Sequence, residues 1–314
     1  MQVLVTGGAG FIGSHLSEKL LRRGDFVVVV DNFNDYYDPG IKEKNVIKAK
    51  DYSNYSLHKI DILDFDALKS VFDAFRFDAI IHLAARAGVR PSLKNPLLYQ
   101  DVNIKGTMNL LELTRDYRIP KFIFASSSSV YGSNKKVPFS EHDNVDYPVS
   151  PYAATKKAAE LLGFTYYHLY GFTFTAIRFF TVYGPRQRPD MAIHKFTALI
   201  DEGEAIPVFG DGQSKRDYTY IDDILDGVLK AVEKSEGYNI YNLGDSRTIG
   251  LLEMIHTIET HLGKKAKIKW LPFQPGDVPI TYADISKART ELGYEPVVLF
   301  TEGVKKFMDW YKQF

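Results

Sequence analysis

A tyrosine and a lysine lie four residues apart in the segment SPYAATKKAAELL, as Tyr152 and Lys156. Ser150 can cap a helix and Pro151 favours its first turn, so this spacing places both side chains on one helical face. A phenol has an ordinary pKa of about 10, too high for a general base near neutral pH, and a neighbouring lysine cation favours its phenolate. The pair could therefore remove a proton from a hydroxyl group. An ordinary amphipathic helix is the alternative that the spacing alone leaves open.

Four consecutive serines, Ser126–Ser129, follow the apolar segment KFIFA. Side chains directly after a buried parallel strand lie at the carboxyl edge of the sheet, where open α/β sheets bind ligands. One of these hydroxyls could therefore bridge a substrate oxygen and Tyr152. A polar loop that satisfies its own backbone is the alternative.

The segment TGGAGFIG lies between a short apolar run and an amphipathic stretch. Gly7 permits a tight turn, Gly10 lets the backbone approach a pyrophosphate, and Gly13 lets a helix lie close to the strand. The next apolar run, FVVVV, ends at Asp31, whose carboxylate suits ribose hydroxyls and repels a 2′-phosphate. Together these features predict a site for NAD rather than NADP.

Apolar segments typical of buried strands alternate with helix-like segments over the first 180 residues. The strand candidates are VLVT, FVVVVD, FDAIIHLAA, KFIFASSS and FTAIRFF, and helical spacing occurs in residues 62–75, 104–117 and 152–169. Strands that alternate with helices predict an α/β fold with a doubly wound parallel sheet of the Rossmann type. The apolar runs are continuous, which is typical of strands covered on both faces.

The pattern changes after Phe180. Residues 181–219 are rich in glycine, proline and charge around one helical segment, and a helix capped by Asp222 or Asp223 is predicted over 221–233. A strand, YNIYNLG, follows it, and two further helical patterns and a PGDV turn lie beyond Leu251.

Two domains are predicted from this change of pattern. The larger is an NAD-binding Rossmann domain, and the smaller is a discontinuous α/β domain that binds the substrate in the cleft between them. The first comprises residues 1–180 plus 221–245, and the second comprises 181–220 plus 246–314.

Composition excludes several other functions. The 314 residues carry 39 basic and 39 acidic side chains, so no net charge indicates nucleic-acid or membrane partners. The chain has no cysteine, which excludes disulfides, thiol catalysis and thiolate metal sites, and its eight histidines show no metal-binding spacing. A strand that begins near residue 2 leaves no room for a signal peptide, and no apolar run is long enough to span a bilayer. We therefore expect a cytoplasmic protein without a metal.

In combination, the motifs of this chain resemble those of the extended short-chain dehydrogenases/reductases, specifically the nucleotide-sugar epimerases and dehydratases. The resemblance extends over essentially the whole chain. Its motifs are TGGAGFIG, Asp31-Asn32, Asp61-Ile62, HLAA at 82–85, Asn103, SSSSVYG, Tyr152-x-x-x-Lys156, RFFTVYGPR at 178–186, RDYTYIDD at 216–223 and PGDV at 275–278.

This resemblance implies a role for each matched position. Tyr152 would take the proton of a sugar hydroxyl, and Lys156 would bind the nicotinamide ribose and lower the phenol pKa. Ser127, with Ser128 beside it, would contact the reacting oxygen. Besides the Tyr–Lys pair, the positions implied to bind NAD are Gly7, Gly10, Phe11, Ile12, Gly13, Asp31, Asn32, Asp61, Ile62, Leu83, Ala84, Ala85 and Asn103. Those implied to bind the nucleotide sugar are Arg90, Ser127, Thr181, Arg186, Arg188, Ala192, Arg216 and Asp277.

The two residues before Val-Tyr-Gly indicate which reaction follows oxidation of the sugar. Dehydratases of the family carry an Asp-Glu pair there, and its UDP-glucuronate decarboxylases carry a Glu before the Val. This chain has Ser128 and Ser129 instead, and a hydroxyl cannot replace a carboxylate that removes a carbon-bound proton. The resemblance therefore implies C4 epimerisation, with NAD recycled in each turnover.

Two arginines in the loop GPRQRPDMA indicate the substrate. UDP-glucose 4-epimerases lack this pair, whereas UDP-glucuronate 4-epimerases resemble the chain both here and in AARAGVRPS at 85–92. An arginine fork suits a planar carboxylate, so Arg188, with Arg186 second, is predicted to hold the C6 carboxylate. A solvated or phosphate-binding arginine is the alternative.

The resemblance thus implies NAD-dependent epimerisation of UDP-glucuronate by a homodimer paired through helices at 104–117 and 152–169. UDP-glucose 4-epimerisation, a decarboxylase or dehydratase activity, and a non-catalytic NAD-binding regulator are the alternatives. Intact Ser127, Tyr152 and Lys156 disfavour the regulator.

Overall fold

The computed structural model describes residues 1–273 and 278–313. Its strands are β1 (Gln2–Thr6), β2 (Phe26–Val30), β3 (Tyr55–His58), β4 (Ala79–His82), β5 (Lys121–Ser127), β6 (Thr173–Phe179), β7 (Thr181–Tyr183), β8 (Ala205–Phe209), β9 (Lys215–Arg216), β10 (Tyr218–Tyr220), β11 (Tyr238–Leu243), β12 (Ile249–Gly250) and β13 (Lys267–Leu271). Within the described residues, seven of them form one parallel sheet in the order β3-β2-β1-β4-β5-β6-β11. The predicted α/β fold with a parallel Rossmann-type sheet is confirmed.

Helices follow most of these strands. They are α1 (Phe11–Arg23), α2 (Pro39–Val46), α3 (Phe65–Ala74), α4 (Val89–Lys94), α5 (Pro96–Gln100), α6 (Gly106–Asp116), α7 (Pro151–Tyr170), α8 (Ala192–Asp201), α9 (Ile221–Lys234), α10 (Leu251–Leu262), α11 (Ser286–Leu292) and α12 (Phe300–Tyr311). A π-helical turn precedes α6, and a 3₁₀ turn, Ser128–Tyr131, follows β5.

Alternate residues of the central strands pack on opposite faces of the sheet. In β1, Leu4 belongs to the apolar cluster that α3, α6 and α7 cover, whereas Val3 and Val5 belong to the cluster that α1 and α9 cover. All three side chains are fully buried. Burial on both faces explains the continuous apolar runs and places the strand ends at one edge of the sheet.

Three local predictions were wrong or incomplete. Strand β3 escaped notice because YSLH is short, half-buried and contains few apolar residues. In the described part of the chain, three helices instead of two occur from Leu251 onward, and α11 was missed because its seven residues are too few to show a periodicity. Tyr220 is the N-cap residue of α9, and Asp223 lies in its first turn, where its carboxylate accepts hydrogen bonds from the amides of Val297 and Val298.

Among the described residues, the remaining strands form three small sheets, β7–β10, β8–β13 and β9–β12. All of them lie in the parts of the chain assigned by prediction to the smaller domain. The division into two domains, with the boundaries given above, stays a prediction.

Candidate active site

The turn between β1 and α1 leaves backbone exposed where side chains would not fit. Gly7 has a φ of +73°, and a Cβ on it would lie 2.7 Å from the amide nitrogen of Ala84. A Cβ on Gly13 would lie 2.2 Å from the carbonyl oxygen of Gly7. Both positions therefore require glycine, and the N-terminus of α1 is open to an anionic group.

A cleft runs along the carboxyl edge of the sheet from this turn. Asp31, at the end of β2, accepts hydrogen bonds from the amides of Ala9 and Phe33 at 3.0 and 2.9 Å. Asn32 donates to Asp61 at 2.7 Å. The predicted cofactor residues that line the cleft are Gly7, Gly10, Phe11, Ile12, Gly13, Asp31, Asn32, Asp61, Ile62, Leu83, Ala84, Ala85, Tyr152 and Lys156.

Asn103 does not line this cleft. It is buried behind the wall, where its amide accepts a hydrogen bond from the Arg86 amide at 2.8 Å and donates to the Arg86 carbonyl and the Thr155 hydroxyl. Its position in the π-helical turn before α6 aims the side chain at the loop after β4. Asn103 therefore holds the wall in place from behind.

The Tyr–Lys pair lies on α7, whose N-cap is Ser150 and whose first residue is Pro151, as predicted. The Lys156 ammonium is buried and donates to the carbonyl of Ala125 at 2.6 Å. Burial lowers the pKa of Lys156 to about 7, and the charge of Glu160 opposes that shift.

Tyr152 faces Ser127 across the cleft. Burial raises the pKa of the phenol, while a hydrogen bond with Ser127 and the charge of Arg188 lower it. Besides Lys156, a substrate and a positively charged nicotinamide ring could favour the phenolate in this place.

Neighbouring serines point in different directions. Ser127 lines the cleft and accepts a hydrogen bond from the Ser129 amide at 3.1 Å. Ser126 also reaches the cleft wall, but its hydroxyl donates to the Glu160 carboxylate at 2.6 Å. Ser128 is not among the lining residues of the described cleft, so the structure brings Ser127, but not Ser128, to Tyr152.

A buried ion pair, which the sequence analysis missed, lies one helical turn beyond Lys156. Glu160 is fully buried and accepts from Arg178 of β6 at 2.9 and 2.8 Å. The Arg178 guanidinium also lies 4.9 Å from the ring centroid of Tyr131. The signal was present as a glutamate four residues after the lysine, together with an arginine inside an apolar strand.

The two arginines of the loop after β7 have different places. Arg188 lines the cleft near Tyr152, and its guanidinium lies 5.3 Å from the ring centroid of Tyr36. Arg186 lies outside the lining and donates to Glu18 at 2.6 Å and to Ser14 at 3.3 Å on α1. Arg186 is thus bound to the helix and is not placed to hold a substrate carboxylate.

Tyr36 lies beside Arg188 at the catalytic end of the cleft. Tyr99, which the sequence analysis missed, packs edge-on against Tyr152 with 6.2 Å between ring centroids. Aromatic residues at loop and helix positions carry no pattern that could have revealed these contacts.

Four of the other predicted nucleotide-sugar residues, Arg90, Thr181, Ala192 and Arg216, lie outside the lining of this cleft. Arg90 stacks on the ring of Phe209 at 4.4 Å, and Arg216 donates to the carbonyl of Lys215. Thr181 opens β7, Ala192 opens α8, and Asp277 lies outside the described residues. Their roles stay predictions.

Residues 1–273 and 278–313 contain no group of three or more histidine, cysteine or acidic side chains able to hold a metal ion. None of their helices has the length and apolar character needed to cross a membrane.

Comparison with known proteins indicates which class of reaction this active-site geometry serves. A family model described as GDP-mannose 4,6 dehydratase matches residues 4–307. The UDP-glucuronate 4-epimerase of Thermodesulfobacterium geofontis is 49% identical over 311 residues, which cover 99% of this chain and 96% of that protein.

Two solved structures are similar over the full chain. The UDP-glucuronic acid 4-epimerase from Bacillus cereus, in complex with UDP-glucuronic acid and NAD, has a TM-score of 0.94 at 38% identity. The UDP-glucose 4-epimerase from Thermotoga maritima, with UDP-glucose, has a TM-score of 0.92 at 34% identity. Each comparison covers 100% of this chain and 99% of the other.

Proposed function

The chain belongs to the GDP-mannose 4,6 dehydratase-like family of extended short-chain dehydrogenases/reductases, and from this membership we propose that it converts UDP-glucuronate into UDP-galacturonate with NAD. It is an isomerase, because oxidation and reduction of C4 within one turnover leave the cofactor unchanged. The observation that carries the substrate assignment is the position of Arg188 in the wall of the cleft, near Tyr152.

The residues of the cleft fit NAD. The glycine turn admits a pyrophosphate where a Cβ on Gly7 or Gly13 would clash with backbone, and Asp31 offers carboxylate oxygens to ribose hydroxyls. When bound, NAD accepts the C4 hydrogen as hydride and returns it to the other face of the sugar.

Three side chains of the protein act in proton transfer to and from the C4 hydroxyl. Tyr152 takes the proton as C4 is oxidised and gives it back when the inverted alcohol forms. Lys156 supplies a nearby positive charge that favours the phenolate, and Ser127 orients the reacting oxygen. General acid–base catalysis by one such group contributes about 10²–10⁴-fold to the rate.

A dehydratase reaction lacks its base in this cleft. The acidic side chains among the described lining residues are Asp31 and Asp61, which follow β2 and β3 at the NAD-adenosine end, away from Tyr152 on the β5 side of the sheet. The serines at 128 and 129 cannot remove a carbon-bound proton at neutral pH. Epimerisation, which needs no such base, is therefore favoured over dehydration.

Arg188 is proposed to bind the C6 carboxylate of the substrate. Burial would lower the pKa of Arg188, but hydrogen bonds to Asp190 and its charge raise it, so the guanidinium stays charged. The 4-keto intermediate is a β-keto acid, and a carboxylate held near the plane of the ketone loses carbon dioxide less readily. A clamp here would serve both recognition and protection of the intermediate.

The second candidate is UDP-glucose 4-epimerisation, which the similarity to the Thermotoga maritima enzyme favours. The two candidates differ in the group at C6, so Arg188→Ala separates them. If the clamp exists, kcat/KM for UDP-glucuronate should fall by about one to two decades, since a charge-assisted contact contributes roughly 1.5–3 kcal/mol. Activity on UDP-glucose should fall much less, through loss of the Arg188 charge near Tyr152 alone, and equal losses on both substrates would contradict the assignment.

We also propose a homodimer formed through α6 and α7. Both helices pack on the same face of the sheet. Leu161, Phe164 and Leu169 of α7 are exposed by 56, 48 and 60%, which provides apolar surface for a second copy. Tyr166, by contrast, is buried and contacts Glu112, so it is not part of this surface.

The cytoplasmic location also stays a prediction.

A further inference from the structure

Asp190 holds Arg188 by one edge of its guanidinium group. The Nε and Nη2 atoms of Arg188 donate to the two carboxylate oxygens of Asp190, both at 2.9 Å. A guanidinium has a second edge that can bind a carboxylate with two parallel bonds, formed by Nη1 and the other hydrogen of Nη2. Within residues 1–273 and 278–313, Nη1 has no hydrogen-bond partner, while the side chain lines the cleft.

The loop that carries this pair is fixed to α1. Arg186 donates to Glu18 at 2.6 Å, and the ring of His15 bonds the carbonyl oxygen of Pro185 at 2.9 Å. These contacts hold the backbone just before Arg188. The orientation of the Arg188 guanidinium group therefore depends on the groups that its own side chain contacts. Those contacts are the carboxylate of Asp190 and the ring of Tyr36.

We propose that Asp190 is a positioning residue for recognition of the substrate carboxylate: it fixes Arg188 by the Nε–Nη2 edge and leaves the Nη1–Nη2 edge for C6 of the sugar. The ring of Tyr36 supports the guanidinium, as a cation over an aromatic face. This inference rests on the proposed function, because only a uronate offers a carboxylate to the second edge.

Asp190 does not need to leave when the substrate binds. Its oxygens occupy one edge only, and two carboxylates can contact opposite edges of one arginine. The Asp190 side chain is 43% exposed, so water screens its charge from the substrate.

The fixed orientation of the Arg188 guanidinium group has a chemical consequence for the oxidised intermediate. If the C6 carboxylate rotates out of the ketone plane, the C5–C6 bond breaks, its electron pair forms the C4 enolate, and carbon dioxide leaves. Protonation of C5 by water then gives a 4-keto-pentose, and NAD, which accepted the C4 hydride, stays reduced. Each such event yields one carbon dioxide and one reduced cofactor for one substrate.

The test is Asp190→Asn in the full-length protein with its NAD. Asparagine keeps the shape and one acceptor but loses the charge and one bond to Arg188. We expect KM for UDP-glucuronate to rise roughly 3- to 10-fold, the factor for loss of one ordinary hydrogen bond in the support of Arg188. The ratio of 4-keto-pentose to UDP-galacturonate should also rise several-fold, whereas kcat/KM for UDP-glucose should stay within about twofold.

Glu295→Gln is the matched control. Glu295 binds Arg289 through the same Nε–Nη2 edge at 2.8 and 3.1 Å, on an exposed surface. This control should change neither KM nor the product ratio. A purely structural role of Asp190 would lower the melting temperature without changing that ratio.

Two results with Asp190→Asn would overturn the inference. A lower KM for UDP-glucuronate would mean that Asp190 blocks the substrate, and an unchanged product ratio would mean that it does not orient the carboxylate. Failure of the proposed function has a different signature, because the unmodified protein would then form no UDP-galacturonate at all.

Discussion

Replacing Glu160 by glutamine should shift the alkaline limit of catalysis to lower pH. Glu160 lies one helical turn beyond Lys156 and is held by Arg178 and Ser126. Its charge raises the pKa of Lys156, which burial lowers to about 7. Burial and the charge of Lys156 lower the pKa of nearby His82 to about 3, so this ring is neutral over the pH range of the assay.

The size of the shift follows from the separation of the two charges. Residues at i and i+4 of a helix have Cβ atoms about 5–6 Å apart, so the charged groups lie roughly 7 Å from one another. At an effective dielectric constant of about 20, their attraction is about 2 kcal/mol, or roughly 1.5 pKa units. Lysine is charged below its pKa, so loss of Glu160 lowers that pKa. The cation that assists Tyr152 then disappears at a lower pH.

The assay is the pH profile of kcat/KM for UDP-glucuronate, with Glu160→Asp as the charge-conserving control. We expect the alkaline limb of Glu160→Gln to lie roughly 1–2 pH units below that of the unmodified protein, while the aspartate variant keeps its limb within about half a unit. Removing one partner of a buried pair costs about 3–5 kcal/mol, so thermal melts must show that each variant is folded. An unchanged limb in a folded Glu160→Gln protein would refute the electrostatic argument.

Three further predictions concern the cofactor, the base and the assembly. The protein should purify with NAD already bound, because the reaction consumes none. Acid release followed by a cofactor assay checks this, and an empty protein or one loaded with NADP would contradict it. Tyr152→Phe should lower turnover by about 10²–10⁴-fold in steady-state assays while the NAD content stays unchanged, and a half-active variant would place the base elsewhere. Light scattering should give the mass of two chains at micromolar concentration. Leu161→Glu combined with Leu169→Glu should give one chain with an unchanged fold by circular dichroism, because both side chains are exposed on α7. A dimer that survives both substitutions would place the interface elsewhere.

The elements that position the site could be predicted because their signals are local. The glycine turn, the apolar strands and the capped helix α7 each depend on residues close together in the chain, and the structure contains all of them. Their order along the chain then brings Ser127, Tyr152 and the glycine turn to one edge of the sheet, since parallel strands end on the same side.

Contacts between distant segments could not be predicted in the same way. The sequence favoured Arg188 over Arg186 as the carboxylate ligand but gave no structural reason. The structure supplies one, because Glu18, on a helix far away in the chain, binds Arg186. Asn103 was expected to line the NAD path because its motif matches, yet its side chain supports the wall from behind. Spacing identifies residue types that can do chemistry, whereas tertiary packing decides which of them reach the ligand.

Isotopic labelling at C4 tests the central claim most directly. The unmodified protein is incubated with UDP-glucuronate carrying deuterium at C4, in ordinary water and with unlabelled NAD added, and the products are identified by NMR. The account predicts UDP-galacturonate that keeps its deuterium at C4, with none in water and none in the added NAD, because the same hydride returns to the same sugar. Loss of the label, or absence of UDP-galacturonate, would contradict it.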